Sequence, residues 1–526
     1  MKVNKDTEDE FDVFGYRKNN ASTTIFIILC VLTGGILWLL ARWYPEKRTR
    51  FTHNACKLTQ ADIVVIHAVD KQVYVQQVKE VSLQQHIESE ITTTPLDNFN
   101  NESVPFEENL IRSGKLYFFE HLFLRYSIAD DNDGTVSELS GYDNILTTVD
   151  VERLSGHGIT QTTSQLRHLI YDVNHIEVPV RSFLVYALQV AANPFYVFQV
   201  CSFTIWFAEG YVYYPIVIIF ISISSITLTA YQTMSQMKKL RKMVDNPYMV
   251  KCLDEHNSVV EKSSLHLVPG DVLLIPSDGL PMPCDAVLLE GACVVNESSL
   301  TGESFPVSKK PLDMPPNTLY QLEKFKVHTL QYGTNIIQAR GGSITGSTNS
   351  DDKEQQSYVR SLVVRTGFCT LKGRLIRTII HPKAIKFQAY REAYKFLAFL
   401  GILGIAGMIF TLVVLSREGN ITALELIISS LSVITIIVPP GLPACLSAGV
   451  VFALRKLRKG RIFCIDSQRI NVCGDLDLFV FDKTGTLTED HLNVKGVYDF
   501  KNGLLKLVQK KQDVIEDHLL VKGLSL

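Results

Sequence analysis

Residues 476–488 read LDLFVFDKTGTLT, and this stretch decides how the rest of the chain is interpreted. Its first six residues are almost all apolar, which is typical of a buried strand. The predicted strand ends at Asp482, and Gly485 allows a sharp turn just beyond it. Because ligands of open α/β sheets bind at the carboxyl ends of the strands, the pattern predicts that Asp482 lies at an active-site edge.

The residue types at this edge indicate phosphoryl transfer. A carboxylate such as that of Asp482 can attack phosphorus and form an aspartyl phosphate. Lys483, Thr484, Gly485 and Thr486 are the predicted phosphate- or nucleotide-binding residues, because an ammonium group, backbone amides and hydroxyls offset phosphate charge. Mg²⁺ takes oxygen ligands and few protein groups, which favours Asp482 and Thr484 as its contacts. The alternative is an ordinary Asp-Lys-Thr-Gly surface turn.

The composition excludes several classes of protein. The chain has 526 residues, of which 46% are hydrophobic and 20% charged, so it is not a disordered chain. A net charge of −2 gives no global field for nucleic acid. Ten cysteines without dense spacing indicate scattered thiols and no disulfide scaffold. The apolar excess is concentrated in five uncharged stretches, residues 21–41, 182–208, 210–237, 396–416 and 426–454.

Each of these stretches is long enough to cross a bilayer as a helix. The second and third form one predicted hairpin and the fourth and fifth another, and basic residues at 238–242 and 455–461 follow them. Because basic residues gather on the cytoplasmic side, both hairpins are predicted to start and end in the cytosol. The first stretch has basic flanks on both sides, so a simple span and a wedge that enters and leaves on the cytosolic face both remain possible.

The blocks between the apolar stretches divide the chain. Residues 51–180 predict a mixed domain, and short strand signals between residues 244 and 381 predict an all-β unit. The predicted organisation is a cytosolic amino terminus (1–20), a membrane-inserted segment (21–41), an amino-terminal cytosolic domain (42–181), a first core hairpin (182–237), a β-rich domain (238–395), a second core hairpin (396–454) and the start of a phosphorylation domain (455–526).

A second motif, TGES, occupies residues 301–304 after the β-rich run. Gly302 frees the backbone, and Glu303 is offered on an exposed loop. Such a glutamate can orient a water for attack on a phosphoenzyme. Taken alone, the same four residues also fit a common surface turn, so Glu303 becomes a predicted catalytic residue only together with Asp482.

A third motif, PPGLP, interrupts the last apolar stretch at residues 439–443. Each proline removes an amide donor and frees the carbonyl four residues earlier. Because free carbonyls cannot face lipid, a polar cavity is expected beside them, as in the broken helices of transporters. A simple kink rescued by neighbouring helices is the alternative. The predicted transport residues are Thr435, Ile436, Pro439, Pro440, Gly441, Leu442 and Pro443.

These motifs together resemble a known family. DKTGTLT at residues 482–488 is identified as the signature of the P-type ATPases, and TGES resembles the dephosphorylation loop of their actuator domain. Residues 193–199, 365–375 and 469–474 resemble the fifth subfamily. The apolar stretch before Arg42 resembles the membrane-inserted amino terminus of its B branch, the lysosomal and endosomal polyamine transporters.

The resemblance implies a multidomain membrane protein. It would combine α-helical transmembrane hairpins with a cytosolic β-rich actuator domain and the first strand of an α/β haloacid-dehalogenase-like phosphorylation domain. It also implies ATP as substrate, Mg²⁺ as cofactor, membrane lipids and a small organic cation such as a polyamine as partners, and no nucleic acid. The expected location is the late endosomal or lysosomal membrane, with the soluble domains in the cytosol.

Two positions depart from the B branch. Gly441 stands where that branch usually has alanine, and Ser432 stands where it tends to carry an aspartate seven residues before the double proline. A carboxylate there would pair with a polyamine ammonium group, so its replacement bears on substrate selectivity and not on the pump mechanism.

Only 38 residues (489–526) follow the phosphorylation motif. The family's nucleotide-binding domain and GDGxND motif are not among them, so this chain alone is expected not to hydrolyse ATP. It would be a fragment, a truncated gene model or a short isoform. The alternative function is a non-catalytic membrane protein that binds lipid or competes with the full pump. Weaker alternatives are an inorganic-cation pump and an endoplasmic-reticulum helix dislocase.

Overall fold

The computed structural model places most of the chain. The residues that it describes are 2–4, 10–69, 72–83, 107, 114–129, 134–242, 244, 247–303, 305–315, 318–343, 357–381, 388–417, 422–437, 442–464, 467–474, 476–489, 497–501 and 504–508.

Two antiparallel sheets form the amino-terminal region. Burial alternates along residues 11–18, with Phe11 and Val13 facing inward, as expected for a half-buried strand. Residues of both sheets share one apolar core, in which Phe119 and Tyr126 stack at a ring-centroid distance of 5.4 Å. The first sheet contains β1 (Lys2–Val3), β2 (Phe11–Lys18), β3 (His53–Cys56), β4 (Ile63–Ala68) and β5 (Val73–Gln77), and the second contains β6 (Lys79–Ser82), β7 (Lys115–His121), β8 (Leu124–Ile128) and β9 (Val136–Glu138).

The first apolar stretch folds back on itself. Gly34 and Gly35 adopt positive φ of 59° and 86° and separate α1 (Asn20–Leu32) from α2 (Ile36–Trp43), which leads into α3 (Pro45–Thr52). The Asn19 amide donates to the Thr52 carbonyl at 3.1 Å, and β2 pairs with β3 directly beside these two residues. The start and the end of the segment therefore lie side by side on one sheet, which favours the re-entrant wedge over a simple span.

A small helical layer follows, formed by α4 (Thr148–Ser155) and α5 (Gln161–Tyr171). Arg167 of α5 is fully buried, and its guanidinium donates to both oxygens of Glu107 at 3.2 and 3.1 Å. Burial raises the pKa of the Tyr142 hydroxyl well above its usual range, so Tyr142 keeps its proton and donates to the same carboxylate at 3.1 Å. The buried charges are thus paired and hydrogen-bonded, as burial requires.

A β-rich unit packs against this layer, as predicted from its strand signals, although it also contains helices and is not all-β. Its larger sheet contains β10 (Met249–Leu253), β11 (Val259–Ser263), β12 (Val272–Pro276), β13 (Asp285–Glu290), β16 (Thr329–Leu330), β18 (Gly342–Ser343) and β19 (Ser357–Arg365). Its smaller sheet contains β14 (Ala292–Asn296), β15 (Val307–Lys309) and β17 (Asn335–Arg340). Helix α10 (Leu371–Ile380) leaves the larger sheet after β19.

The amino-terminal region and the β-rich unit share their packing. Leu116 and Leu154 belong to the same apolar core as Val272 and Leu362. At its edge, Asn174 donates to the carbonyls of two residues of the β-rich unit and accepts from the amide of a third, at 2.8, 3.0 and 2.8 Å. These three partners are Ser264, Pro283 and Gly367. The two blocks predicted as separate are therefore joined by a continuous core.

The apolar helices form a separate bundle. Its members are α6 (Phe183–Ala191), α7 (Pro194–Ala208), α8 (Tyr213–Lys242), α11 (Gln388–Arg417), α12 (Ala423–Ile437) and α13 (Leu442–Lys459). Among the described residues, α8 and α11 are long and apolar enough to cross a bilayer, and the bent pair of α6 and α7 would be a third span. The contacts of α7 with α12 and of α8 with α13 bring the two predicted hairpins together.

The second apolar stretch differs from its prediction as one continuous helix. Helices α6 and α7 meet at an angle of 71°, because Pro194 cannot donate a backbone hydrogen bond to the preceding turn. The bend leaves the carbonyl of Ala192 without its helical partner, and the indole of Trp43 in α2 donates to it at 2.9 Å. The wedge and the first core segment are thus attached at the bend.

The strand predicted at residues 476–481 is not formed, so this prediction is wrong for the chain. The segment pairs with no strand in the described part of the molecule, and the side chains of Leu478, Val480 and Phe481 are exposed. Without neighbouring strands to cover it, an apolar segment has nothing to bury. Beyond residue 489, the residues that the structure describes form the hairpin of β20 (Val497–Lys501) and β21 (Leu504–Val508).

Candidate active site

The TGES loop is the connection between two paired strands of the smaller sheet. Strands β14 and β15 are antiparallel, with Val295 opposite Val307, so residues 297–306 form the loop of a β-hairpin. Its first half is the short helix α9 (Ser298–Thr301), which ends at Gly302 in the left-handed conformation, with φ of 73°. The amide of Glu303 donates to the Thr301 hydroxyl at 3.2 Å. Contacts within the loop itself therefore define its shape.

A buried ion pair braces the base of this loop. Lys309 at the end of β15 lies 2.6 Å from a carboxylate oxygen of Glu297, and the two side chains are only 3% and 8% exposed. The same ammonium group donates to the carbonyl of Lys326 at 2.8 Å, and the Thr301 hydroxyl donates to the carbonyl of Glu297 at 3.0 Å. The pair fixes where the hairpin loop begins and ends. Sequence reasoning missed it, because nothing distinguishes these two charges from surface charges.

The phosphorylation motif forms a compact turn. One oxygen of Asp482 accepts from the backbone amide of Lys483 at 2.7 Å. Gly485 takes a positive φ of 73°, the conformation for which glycine was expected there. The amide of Thr488 then donates to the carbonyl of Lys483 at 2.9 Å and closes the turn. The other carboxylate oxygen of Asp482 accepts no hydrogen bond from the described residues.

The structure brings the TGES loop and the phosphorylation motif together. A side-chain carbon placed on Gly302 would lie 3.1 Å from the second oxygen of Asp482. The Glu303 carboxylate lies 3.8 Å from the Lys483 ammonium group. Two motifs almost 180 residues apart in the sequence are therefore neighbours in space. Glycine suits this position, because its positive φ of 73° would strain other residues and an added side-chain carbon would be crowded by the Asp482 carboxylate.

The contact between the two motifs is open to solvent. The side chains of Glu303 and Lys483 are 59% and 65% exposed, and an exposed ion pair of this kind is worth about 0–1 kcal/mol. Water has access to both carboxylates. The loop can therefore occupy this position and leave it again at little energetic cost.

The residues present fit a magnesium ion only in combination with phosphate. Among the described residues, no cluster of three or more acidic, histidine or cysteine side chains could hold a metal ion by itself. Mg²⁺ is usually held by one or two carboxylates together with substrate phosphates, and the free oxygen of Asp482 suits such an arrangement.

The predicted transport residues lie apart from this site. The side chain of Thr435 in α12 is buried, and its hydroxyl donates to the carbonyl of Ser432 at 2.7 Å, whereas the side chain of Ile436 is exposed. Leu442 and Pro443 begin α13. Residues 439–441 lie outside the described residues, so the three carbonyls predicted to be free stay a prediction.

The matches with known proteins agree with this arrangement. Residues 7–127 match the P5-type ATPase cation transporter family, and residues 245–380 match the P-type ATPase actuator domain. The chain is 36% identical over 545 residues to polyamine-transporting ATPase 13A3 of Homo sapiens, which covers 99% of the chain and 43% of that protein. It is 34% identical over 514 residues to probable cation-transporting ATPase 13A5 of Homo sapiens, which covers 94% and 40%. The chain thus spans less than half the length of these relatives.

The β-rich unit that carries Glu303 is therefore the actuator domain, and the chain belongs to the P-type ATPase family. Within that family it is a member of the P5 group, in the B branch that its relatives represent. The resemblance proposed from the motifs is confirmed. The chain is a membrane protein with candidate membrane helices.

The brace of the actuator loop can be tested by removing its cation. Lys309→Met should destabilise the actuator by about 3 kcal/mol, because the Glu297 carboxylate stays buried without a partner. We expect a lower midpoint of thermal unfolding and faster proteolytic cleavage within residues 298–306 of the purified chain.

The neighbouring exposed residue supplies the matched control, since Lys310→Met should leave both measurements unchanged. Combining Lys309→Met with Glu297→Gln removes the stranded charge and should recover part of the loss. An unchanged melting midpoint and cleavage rate in Lys309→Met would show that the pair does not brace the loop.

Proposed function

We propose that this chain supplies the actuator, the first membrane helices and the phosphoryl acceptor of an ATP-driven cation pump. The observation that supports this most strongly is the contact of Gly302 and Glu303 with Asp482 and Lys483. A loop that offers a carboxylate beside an exposed aspartate is what hydrolysis of an aspartyl phosphate requires. Within the proposal, the membrane residues use that cycle to move the cation.

In the first half-reaction, the free carboxylate oxygen of Asp482 attacks the γ-phosphorus of ATP. The bond between that phosphorus and the β–γ bridging oxygen breaks, ADP leaves, and an acyl phosphate forms. Lys483 and the amides and hydroxyls of Thr484 and Thr486 offset the charge of the transferred group. A bound Mg²⁺ would neutralise phosphate charge between Asp482 and the phosphoryl oxygens.

In the second half-reaction, water attacks the phosphorus of the acyl phosphate. Glu303 orients this water and accepts its proton, the bond from phosphorus to the Asp482 oxygen breaks, and inorganic phosphate leaves. The proton then returns to solvent, to which Glu303 is open. The approach allowed by Gly302 is needed only for this step, since the attacking water must lie between the two carboxylates.

The proposed cargo is an organic cation such as a polyamine, because a relative with 36% identity carries that description. Polar side chains buried within the helix bundle support a path for it. The hydroxyl of Ser222 donates to the side-chain carbonyl of Gln199 at 2.9 Å, and Ser432 and Thr435 are buried in α12, which contacts α7. Carbonyl dipoles at residues 435–439 would bind the cation there, together with the residues up to Pro443. The proposed location is the late endosomal or lysosomal membrane, with membrane lipids around the bundle.

The phosphoryl acceptor is tested in a protein of the relatives' length that contains this chain. With radiolabelled ATP it should form an acid-stable, hydroxylamine-labile phosphoenzyme. Asp482→Asn should abolish the label, because the amide keeps the shape and loses the nucleophilic charge. Asp477→Asn, in the same exposed segment, should label normally, and a labelled Asp482→Asn protein would refute the assignment.

The role of Glu303 is tested by measuring formation and hydrolysis of the phosphoenzyme separately. In the same long protein, Glu303→Gln should let the phosphoenzyme accumulate while ATP turnover falls by about 10²–10⁴-fold. Glu323→Gln, an exposed substitution elsewhere in the actuator, should change neither quantity. If Glu303→Gln prevented phosphoenzyme formation, the residue would act in the first half-reaction instead.

The cation path is tested at Ser432, where an acid would add an ion pair to recognition by dipoles. Ser432→Asp should lower the spermine concentration that gives half-maximal stimulation of ATPase activity. Ser430→Asp, also buried in α12 but on another face, should give no such gain. If stimulation by spermine is unchanged in Ser432→Asp and Pro440→Ala is also silent, the cation does not bind at this level of the bundle.

A further inference from the structure

The turn between β7 and β8 holds two residues in a strained conformation. His121 pairs with Leu124 across the hairpin, so Leu122 and Phe123 form a two-residue loop. Their φ angles are 48° and 67°. A turn with positive φ at both central positions normally contains asparagine, aspartate or glycine, because other side chains adopt this conformation only at an energetic cost. Such strain persists where surrounding contacts require it, and it marks a candidate functional position.

Phe123 at this turn contacts both ends of helix α10. Its ring stacks on that of Phe368, just before the helix, at a centroid distance of 4.6 Å and an interplanar angle of 10°. It also contacts the ring of His381, just after the helix, at a centroid distance of 5.2 Å. The strained turn therefore directs one aromatic side chain of the amino-terminal region at both ends of α10.

The residue on which Phe123 stacks is packed tightly onto α10. A side-chain carbon placed on Gly373, in the first turn of the helix, would lie 2.6 Å from the backbone of Phe368. The Thr370 hydroxyl accepts from the Gly373 amide at 3.1 Å. In the same turn, the Arg374 guanidinium lies 3.4 Å from a carboxylate oxygen of Glu138 in β9. A contact that holds Phe368 therefore also holds the start of the helix against the amino-terminal region.

Helix α10 connects the actuator to the membrane helix α11. The contact of Glu303 with Lys483 is exposed and weak, so it cannot by itself keep the TGES loop at Asp482. The position of the loop then depends on how rigidly the actuator is joined to the membrane helices. A loosely held α10 would absorb a displacement of α11, whereas a fixed α10 transmits it to the actuator.

We propose that Phe123 is a positioning residue for hydrolysis of the phosphoenzyme. It fixes α10 against the amino-terminal region, and α10 holds the actuator where Glu303 reaches Asp482, a role that rests on the function proposed above for these two carboxylates. The residues that such a turn favours have no aromatic ring to direct at α10. The strain of the turn is therefore the cost of this contact.

Hydrogen exchange of the purified full chain tests whether Phe123 fixes the helix. Phe123→Ala should speed exchange of the amides of residues 371–381 by about 2- to 12-fold, the range expected for the loss of an aromatic pair. Phe123→Tyr keeps the ring and should exchange normally. Phe14→Ala is the matched control, because it removes a half-exposed ring that contacts His67 elsewhere in the amino-terminal region. Unchanged exchange of α10 in Phe123→Ala would overturn the proposal.

A double variant separates positioning from stability. Leu122→Asn combined with Phe123→Gly gives the turn its preferred residues, so the midpoint of thermal unfolding should be no lower than in the unmodified chain. The same variant should nevertheless speed exchange of α10 and slow phosphoenzyme hydrolysis, as Phe123→Ala does. If it hydrolyses the phosphoenzyme at the unmodified rate, the turn has only a structural role and the proposal is wrong.

Phosphoenzyme decay in the protein of the relatives' length tests the positioning role. Phe123→Ala should form the phosphoenzyme at the unmodified rate and hydrolyse it about 2- to 12-fold more slowly, and Phe123→Tyr should hydrolyse it normally. Normal hydrolysis in Phe123→Ala, with slow hydrolysis in Glu303→Gln, would overturn the positioning role and leave the proposed function intact. If the unmodified protein formed no phosphoenzyme, the proposed function would fail and the positioning role with it, whereas hydrogen exchange would still decide whether Phe123 fixes α10.

Discussion

The side chain of Asn174 satisfies three buried backbone groups of the actuator, and the relation between the two soluble parts depends on this contact. A buried carbonyl or amide without a partner costs about 1–3 kcal/mol. The three hydrogen bonds therefore fix the position of the amino-terminal region against the actuator. The buried pair of Arg167 and Glu107 is a second contact with the actuator. Gly270 of the actuator lies so close to it that any side chain there would meet the Arg167 guanidinium. The actuator and the amino-terminal region consequently behave as one packed body, and the loop that reaches Asp482 extends from that body.

Sequence patterns predicted the local features of the site better than its assembly. Gly302 and Gly485 were expected at turns and both adopt positive φ, because glycine at a turn is a local requirement. The β-rich actuator was predicted from its short alternating runs. The contact of Glu303 with Lys483 is not a local property, and it was expected only through the family resemblance. The Glu297–Lys309 pair was missed because a charge that folding buries looks like any surface charge in a sequence.

The two predictions that failed share one physical origin, because both segments depend on partners that are distant in the sequence. Residues 476–481 have the composition of a strand, yet a strand forms only beside another strand, and none of the described strands pairs with this segment. The stretch 182–208 is apolar enough for one helix, but Pro194 bends it and the freed carbonyl of Ala192 is satisfied by Trp43. Composition gives the length of an apolar segment, whereas the partners of its carbonyls decide its path.

The hydrogen bond between Trp43 and Ala192 couples the wedge mechanically to the first core segment. The wedge grows out of the amino-terminal sheets, which share their core with the actuator, and Trp43 at the end of α2 attaches it to the bend of the first core segment. It therefore forms a lever with one end on the actuator body and the other inside the helix bundle, in parallel with the covalent connections at α8 and α10. Any rotation of the actuator must carry this lever along or break the hydrogen bond between Trp43 and Ala192.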